Sequence, residues 1–581
     1  MSIYTKVDSG VKRFRTMLPS RDRWCGSVDF FRLYGAQTKF LIPGDIWKES
    51  VHAFIRLNPM LTPSLTPMSA KIRWFYVPLR LVEPDLTELI ITGSKDGKLS
   101  EESLPEFPSL ASKWQKDYEN LVCVTNDSIA HVICQVPISR YVDLADYPVN
   151  SKTLPRLYWL KAYCRVWWDY YRDENLEITL TTTNYIGAVG EYATYTVDNS
   201  DFDSFFDFVA KYSWCLRCLP ICLPKDYFTS SLPWQLKGVA PTLSFDITSS
   251  DFEITQTWQG GSGYTTPGDT KGYTASFPTT LVGMQHGVNG LVTNGTENVQ
   301  DSAINVSVQN FLNNINNSVS GSGIINTSFN TSDMRDMFAQ TRVFERLART
   351  GSRYIEYLRA NFGTAPSDGT LQRAQYLGGF SQEILTTEVL QTGVGDTPVG
   401  TMRGHGISSA TNSMQPFYNK EFGMLFCTFE VKPRVQYTQG IDRQLTYASR
   451  YEFFNPSFQN LSEQEVRKGE IYFDVSDGLN DDTFGFQGMY NELRSGRERM
   501  FGEMLPSGSQ AQWNQAIKFN SRPSLNGAFI NGTNYADSWL RPFGLSGESE
   551  NTKPIIVDLY NVNTPLRPMI RNPTPGLIDH N

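Results

Sequence analysis

Between residues 422 and 431 the chain places apolar side chains on both faces of a period-two run. Phe422, Met424 and Phe426 fall on one face; Leu425, Cys427, Phe429 and Val431 fall on the other. A strand with one wet face alternates apolar and polar residues, so a run apolar on both faces has to be covered on both. That requirement implies a large body with a sheet sandwiched inside it. Ile72-Arg73-Trp74-Phe75-Tyr76-Val77 has the same character and meets Pro78, which cannot donate to a ladder. Residues 178–183 and 192–197 read as further short strands. Turn signals are dense, as in Pro43-Gly44-Asp45 and Leu525-Asn526-Gly527.

Helices are fewer. Over 157–171, Leu157, Leu160, Cys164, Trp167 and Tyr171 recur at spacings of three and four behind Pro155, which suits a helix start. Over 333–349, Met334, Met337, Phe338, Thr341, Phe344 and Leu347 form a stripe expected to be buried, with Thr331 or Ser332 as the cap and Gly351 past the end. The reading is a β-rich body with a few helices in long connections.

Residues 255–332 interrupt that body. They hold four charged residues, Asp269, Lys271, Glu297 and Asp301, in a run of Gly, Ser, Thr and Asn. Disordered tails are usually highly charged and poor in aliphatic side chains. This stretch keeps Val, Ile, Leu and Phe at intervals, and so reads as a surface excursion that needs a neighbour to hold it. The net charge of −8 excludes a global field drawing the molecule onto nucleic acid. The first residues differ locally: Lys6, Lys12, Arg13, Arg15, Arg21 and Arg23 face only Asp8 and Asp22, a basic arm over 1–40. No secretory h-region and no membrane-spanning apolar run is present, so synthesis and residence in a cytoplasm are expected.

Enzymatic constellations are incomplete. Cys215 and Cys218 have the CxxC outline, but Leu216 and Arg217 intervene and Leu219-Pro220 breaks any following helix; Cys222 lacks a fourth zinc ligand. The eight cysteines otherwise sit in apolar surroundings, as buried reduced thiols do. The five histidines show no HExxH spacing, and Gly97-Lys98 is followed by Leu99 where a phosphate loop needs Ser or Thr. Asp474, Asp477, Asp481 and Asp482 around Gly478 miss the EF-hand order and read as a solvated turn. The run from Trp167 to Asn175 mixes aromatics and acids as a glycosidase cleft does, yet on a helix half of it faces a core. No enzyme, metal or cofactor is expected.

Several segments resemble, in order, the major capsid protein of the Microviridae, the small single-stranded DNA bacteriophages, and within them the gokushovirus-like branch. They are Leu41-Ile42-Pro43-Gly44-Asp45, Phe75-Tyr76-Val77-Pro78-Leu79-Arg80-Leu81, Tyr171-Arg172-Asp173-Glu174-Asn175-Leu176 and Asp226-Tyr227-Phe228-Thr229-Ser230-Ser231-Leu232-Pro233-Trp234. Gly351-Ser352-Arg353-Tyr354-Ile355-Glu356-Tyr357-Leu358, Tyr376-Leu377-Gly378-Gly379, Tyr437-Thr438-Gln439-Gly440-Ile441-Asp442-Arg443 and Pro575-Gly576-Leu577-Ile578-Asp579-His580 continue the set. Residues 85–150 and 239–332 depart most from the family's pattern.

The resemblance implies an eight-stranded antiparallel jelly roll of the viral-capsid type over 41–581, mainly β with long inserted loops. It implies copies closing into a T=1 icosahedral shell in the virion, around a circular single-stranded DNA genome. Further implied partners are a minor spike or pilot protein, an internal scaffolding protein and a bacterial surface receptor. Lys12, Arg13 and Arg15, with Phe14 and Trp24 to stack on bases, are the candidate DNA contacts. Trp234 and Tyr376 are candidate assembly contacts in loops whose alternative role is packing within the fold. Residues 239–332 form the candidate threefold protrusion, with Trp258 and Tyr264 as candidate host contacts. The alternative class is a carbohydrate-binding, lectin-like jelly roll.

Overall fold

The structure, a computed structural model, describes residues 15–83, 107–114, 125, 127–137, 154–182, 193–238, 331–350, 353–390, 392, 400, 402–459, 463–476, 478–545 and 553–572, with two short strands at 259–260 and 273–274. The chain divides into two compact units, Met1–Lys237 with Glu345–Asn581, and Gly238–Phe344.

The first unit is built on eight strands: β1 Ser20–Val28, β2 Tyr34–Leu41, β3 Glu49–Leu57, β4 Met68–Pro78, β5 Gln375–Leu390, β6 Met402–Ser413, β7 Gly423–Pro433 and β8 Ile555–Asn563. They hydrogen-bond in the order β1-β8-β3-β6-β5-β4-β7-β2, every pair antiparallel. Read as two four-stranded halves, 1-8-3-6 and 5-4-7-2, this is the jelly-roll order. The long β5 joins the halves. Its first part, Gln375 to Ile384, pairs with β4, and its last part, Leu385 to Leu390, pairs with β6. A bulge between Tyr376 and Gly378 begins the bend, with Gly378 at φ 118°, a conformation that glycine adopts without strain. β1 and β2 remain as the two edges. Side chains span them: Asp22 accepts a hydrogen bond from Gln37 Nε2 at 3.0 Å and pairs with Lys39 Nζ at 2.8 Å.

Residues 1–40 are therefore not an arm throughout. Ser20–Val28 and Tyr34–Leu41 are sheet strands, because Trp24 and Val28 on one side of the chain and Tyr34, Ala36 and Leu41 further on pack with the core. Period-two alternation is clear in β3, where Val51, Ala53, Ile55 and Leu57 point in, and in β8, where Ile555, Val557 and Leu559 do. β7 is buried on both faces, as its sequence demands. Its outer cover is helix α1, Leu157–Tyr170, with Trp159 against Phe426 at 6.4 Å and Tyr170 against Phe75 of β4 at 4.9 Å. All five residues of the expected stripe are buried. Helix α2, Phe202–Lys211, is capped by Asp201, which accepts from the Asp203 and Ser204 amides, and stacks Phe205 on Trp167 at 5.1 Å. The strands expected at 178–183 and 192–197 form a hairpin, Thr179–Thr181 with Thr194–Thr196.

Helix α3, Thr331–Arg349, corrects two details. Thr331 and Ser332 lie inside it rather than capping it, and its stripe is only partly covered, with Phe338 58% exposed. In the second unit, the backbone of Gly238, at φ 139°, lies against the Phe344 ring, 3.2 Å from where a Cβ would sit. Strands Gln259–Gly260 and Tyr273–Thr274 pair there.

Two buried polar groups anchor the jelly roll. Lys553 pairs with Asp29 and Asp127, tying the segments before β2 and β8 together. Glu49, fully buried at the start of β3, accepts from Trp74 Nε1 at 3.3 Å and Asn561 Nδ2 at 3.2 Å. Burial pushes its carboxyl from 4.5 up to about 7, against the pull of the Trp74 and Trp47 indoles. A carboxyl that holds its proton longer folded than unfolded makes stability fall as pH rises between those two values. Glu49→Gln is expected to remove that slope, gaining on the order of 1–3 kcal/mol relative to wild type above pH 7 and nothing near pH 4. Thermal melts of both proteins across that range test it; parallel pH profiles would refute it.

Candidate assembly and nucleic-acid surfaces

The clusters with an enzymatic outline resolve into packing. Cys215 and Cys218 are free and buried, and burial pushes both thiols up to about 12, the opposite of a redox thiolate. Trp167, Trp168 and Tyr171 are core residues. Asp169 among them accepts from Arg165 Nε and the Ala374 amide, each at 3.0 Å. Asp474 accepts from the amide and hydroxyl of Ser476 in a turn that Gly478 continues at φ 66°. Among the described residues no group of three His, Cys, Asp or Glu could hold a metal.

The segment from Asp226 to Trp234 divides in two. Its first part is woven into the fold. Asp226 accepts from the Phe228 and Thr229 amides and from the Tyr437 hydroxyl at 2.9 Å, and burial raises its carboxyl above the ordinary value. Phe228 meets Tyr437 edge-on at 5.1 Å, and the Tyr227 hydroxyl donates to Glu470 at 2.8 Å. Packing within the fold, the alternative to an assembly role, describes this part. Trp234 lies beyond it, half-buried, with Lys237 over its ring at 5.8 Å and no partner for its indole N–H among the described residues.

Tyr376 stands at the β5 bulge, 47% exposed, with one side of its ring on Phe75 at 5.5 Å. Before it runs helix α4, Tyr354–Phe362, closed by Gly363 at φ 68°. No residue of α4 is buried. Tyr354 and Phe362 are 64% and 65% exposed, and Tyr357 stacks on Tyr354 at 6.4 Å. The helix is fixed in place by Arg353, whose guanidinium pairs with Glu174 and whose amide donates to Glu356 at 3.1 Å. An exposed aromatic stripe on a well-anchored helix is the composition of an interface core. Sequence reading marks the aromatic stretch 351–379 for assembly, with Tyr376 as its candidate, but not the helix within it. The 3-and-4 spacing was present in Tyr354, Tyr357 and Leu358 but the segment is too short for its period to stand out.

Of the candidate DNA contacts, Lys12, Arg13 and Phe14 lie outside the described residues, as do Trp258 and Tyr264. Arg15 is exposed, its guanidinium 5.8 Å from the Tyr418 ring. Trp24 points inward: strand alternation sends Arg23 and Cys25 outward and turns Trp24 onto Tyr34 and Phe429, at 6.4 and 6.1 Å. Its ring is not splayed for a base.

An eight-stranded jelly roll that leaves anchored aromatic stripes for its neighbours has the build of a virus-coat subunit. The chain matches the capsid protein (F protein) family over residues 6–577 and belongs to it: this is a major capsid protein of the Microviridae, the single-stranded DNA phages, and a structural rather than catalytic component of the virion. It is 25% identical to capsid protein VP1 of Bdellovibrio phage phiMH2K over 529 residues, which cover 88% of this chain and 87% of that one. With capsid protein VP1 of Chlamydia phage 1 it shares 26% identity, covering 92% and 91%, and with that of Spiroplasma virus 4, 25%, covering 92% and 90%.

Replacing Tyr354 and Phe362 together by Ser is expected to leave the thermal melt of the subunit unchanged and to raise the concentration needed for shell assembly. Losing one interface anchor costs about 2 kcal/mol or more, roughly thirtyfold in affinity. Light scattering against concentration measures it; assembly at the wild-type threshold would reject the stripe as a contact.

Proposed function

We propose that this coat protein closes with its own copies into an icosahedral shell around single-stranded DNA, that its basic N-terminal residues meet the genome, and that residues 239–332 reach the host surface. The observation that carries the shell reading is the jelly roll with the unburied aromatic helix α4 held on it by Arg353. Trp234 and Tyr376 join α4 as contacts between copies. Lys12, Arg13 and Arg15 supply phosphate contacts, with Phe14 beside them for stacking. A spike or pilot protein, an internal scaffolding protein and a cell-surface receptor complete the set of partners.

The host-contact reading rests on composition. Where symmetry-related copies of one segment gather, low charge avoids self-repulsion, and Asn, Ser and Thr offer hydrogen bonds to a partner or a glycan. Deleting residues 257–327, which leaves α3 whole, is expected to preserve particles and abolish adsorption to cells. Particles that adsorb normally would reject host contact, and failure to form particles would make the segment a lateral filler between subunits.

Changing Lys12, Arg13 and Arg15 to Gln is expected to lower the DNA content of particles, read from their absorbance ratio and buoyant density. Unchanged content would remove the arm from the DNA contacts.

A further inference from the structure

Lys553, just ahead of Pro554 and the start of β8, is buried at 5% exposure and meets two carboxyl groups. Its Nζ stands against Oδ2 of the buried Asp29, one bond from the Asp29 Cγ, and against Oδ2 of the half-buried Asp127. Arg217 Nε lies 4.0 Å from that same Asp127 oxygen. Each of the three residues is held by its own backbone. Asp29 sits in the turn between β1 and β2, its amide donating to the Tyr34 hydroxyl at 2.9 Å, beside the buried Phe30, Phe31 and Leu33. Phe31 holds φ 56°, a conformation that a bulky residue keeps only where its surroundings impose it. Asp127 leads into Ser128, whose hydroxyl accepts from the His131 amide at 3.3 Å. The Ile129 and Ala130 amides that follow donate to the Leu216 and Ser213 carbonyls at 2.9 and 3.0 Å. The Lys553 carbonyl accepts from Asn58 Nδ2, and that of Pro554 from the Asn58 amide at 2.9 Å.

We infer that Lys553 and Asp29 condense into an amide bond within the chain, with Asp127 carrying the proton. Within the contact the ammonium proton passes to Asp29, leaving an amine beside a carboxylic acid. The Nζ lone pair forms a bond to Cγ of Asp29. Asp127 takes a proton from the nitrogen and gives it to the Asp29 hydroxyl, which leaves as water while the carbonyl re-forms. One amine and one carboxylic acid become one amide and one water, and Asp127 ends as the carboxylate it began as. Burial favours this direction. It raises the Asp29 carboxyl above its ordinary value against the pull of Lys553 and Arg32, so the acid form that an amine can attack is within reach. A neutral amide also spares the site the cost of two buried charges. A salt bridge needs one carboxylate; condensation needs a second to hold the proton in transit, and Asp127 stands where that second one must. Three groups fixed in contact supply the proximity that such a step requires. The bond joins the β1–β2 turn to the entry of β8. The inference stands on this geometry and is independent of the coat-protein reading.

Intact-mass spectrometry of the denatured full-length chain reads the bond directly. Wild type is expected to be lighter than its sequence by one water, and a tryptic digest to yield a branched peptide joining the segments around Asp29 and Lys553. Lys553→Met should restore the full mass. Asp127→Asn, which keeps the shape of the side chain, should slow the loss of water by about a hundredfold or more. Should a variant fail to fold, the wild-type mass and the branched peptide decide alone. Wild type at its full mass without a branched peptide, the same water lost in Lys553→Met, or a branch joining other residues would overturn the inference and leave a buried ion cluster. Bond formation at the wild-type rate in Asp127→Asn would overturn the part given to Asp127.

Discussion

The placement of β8 between β1 and β3 is the constraint on which the jelly roll depends. Residues 555–563 pair on one side with 20–28 and on the other with 49–57, nine residues deep along both edges. Without that strand, Val51, Ile55 and Leu57 would lose their inward neighbours and β1 would be cut off from the β3-β6 pair. The buried Lys553, held by Asp29 and Asp127, fixes where β8 begins. A buried ion cluster of this kind adds little net stability but penalises any other register, because a misplaced lysine would take its charge from the buried Asp29 and the half-buried Asp127.

Surface character follows from how the two halves are covered. Helix α1 and its partner α2 lie on the β5-β4-β7-β2 side, and there β7 is buried on both faces. The other half has nothing described over it, and there arginine, serine and threonine alternate with core residues. The same strand geometry thus produces a packed face and an open one, and the amino-acid pattern distinguishes them. The anchored aromatic helix α4 sits in the long connection between β4 and β5.

How much of this was legible in the sequence varied with the strand. Residues 422–431 announced themselves, because burial on both faces leaves no polar alternation to confuse with a turn. So did the helix over 157–171. β1 was read as part of a basic arm, since Ser-Arg-Asp-Arg-Trp-Cys-Gly-Ser-Val shows its charged outer half and hides a thin inner one of Trp24, Gly26 and Val28. β6 was invisible for a related reason. Its inward positions are Gly404, Gly406 and Ser408, small because Thr62, Pro63 and Leu57 press close. The eight-strand topology therefore came from family resemblance, not from periodicity. Among candidate site residues, the inward turn of Trp24 was not legible, because strand parity cannot be assigned without knowing that the residue lies in a strand.

The Gly238–Phe344 unit begins and ends at one place, with the Gly238 backbone against the Phe344 ring. A segment whose ends already touch can change length at small thermodynamic cost, since closing a flexible loop twice as long adds only about 0.6 kcal/mol. Such a joint is where genetic exchange does least harm. One lineage can acquire another's excursion, or shed its own, while the strand ladder keeps its register. A coat of this design can vary the length of that segment without disturbing the barrel that holds it together.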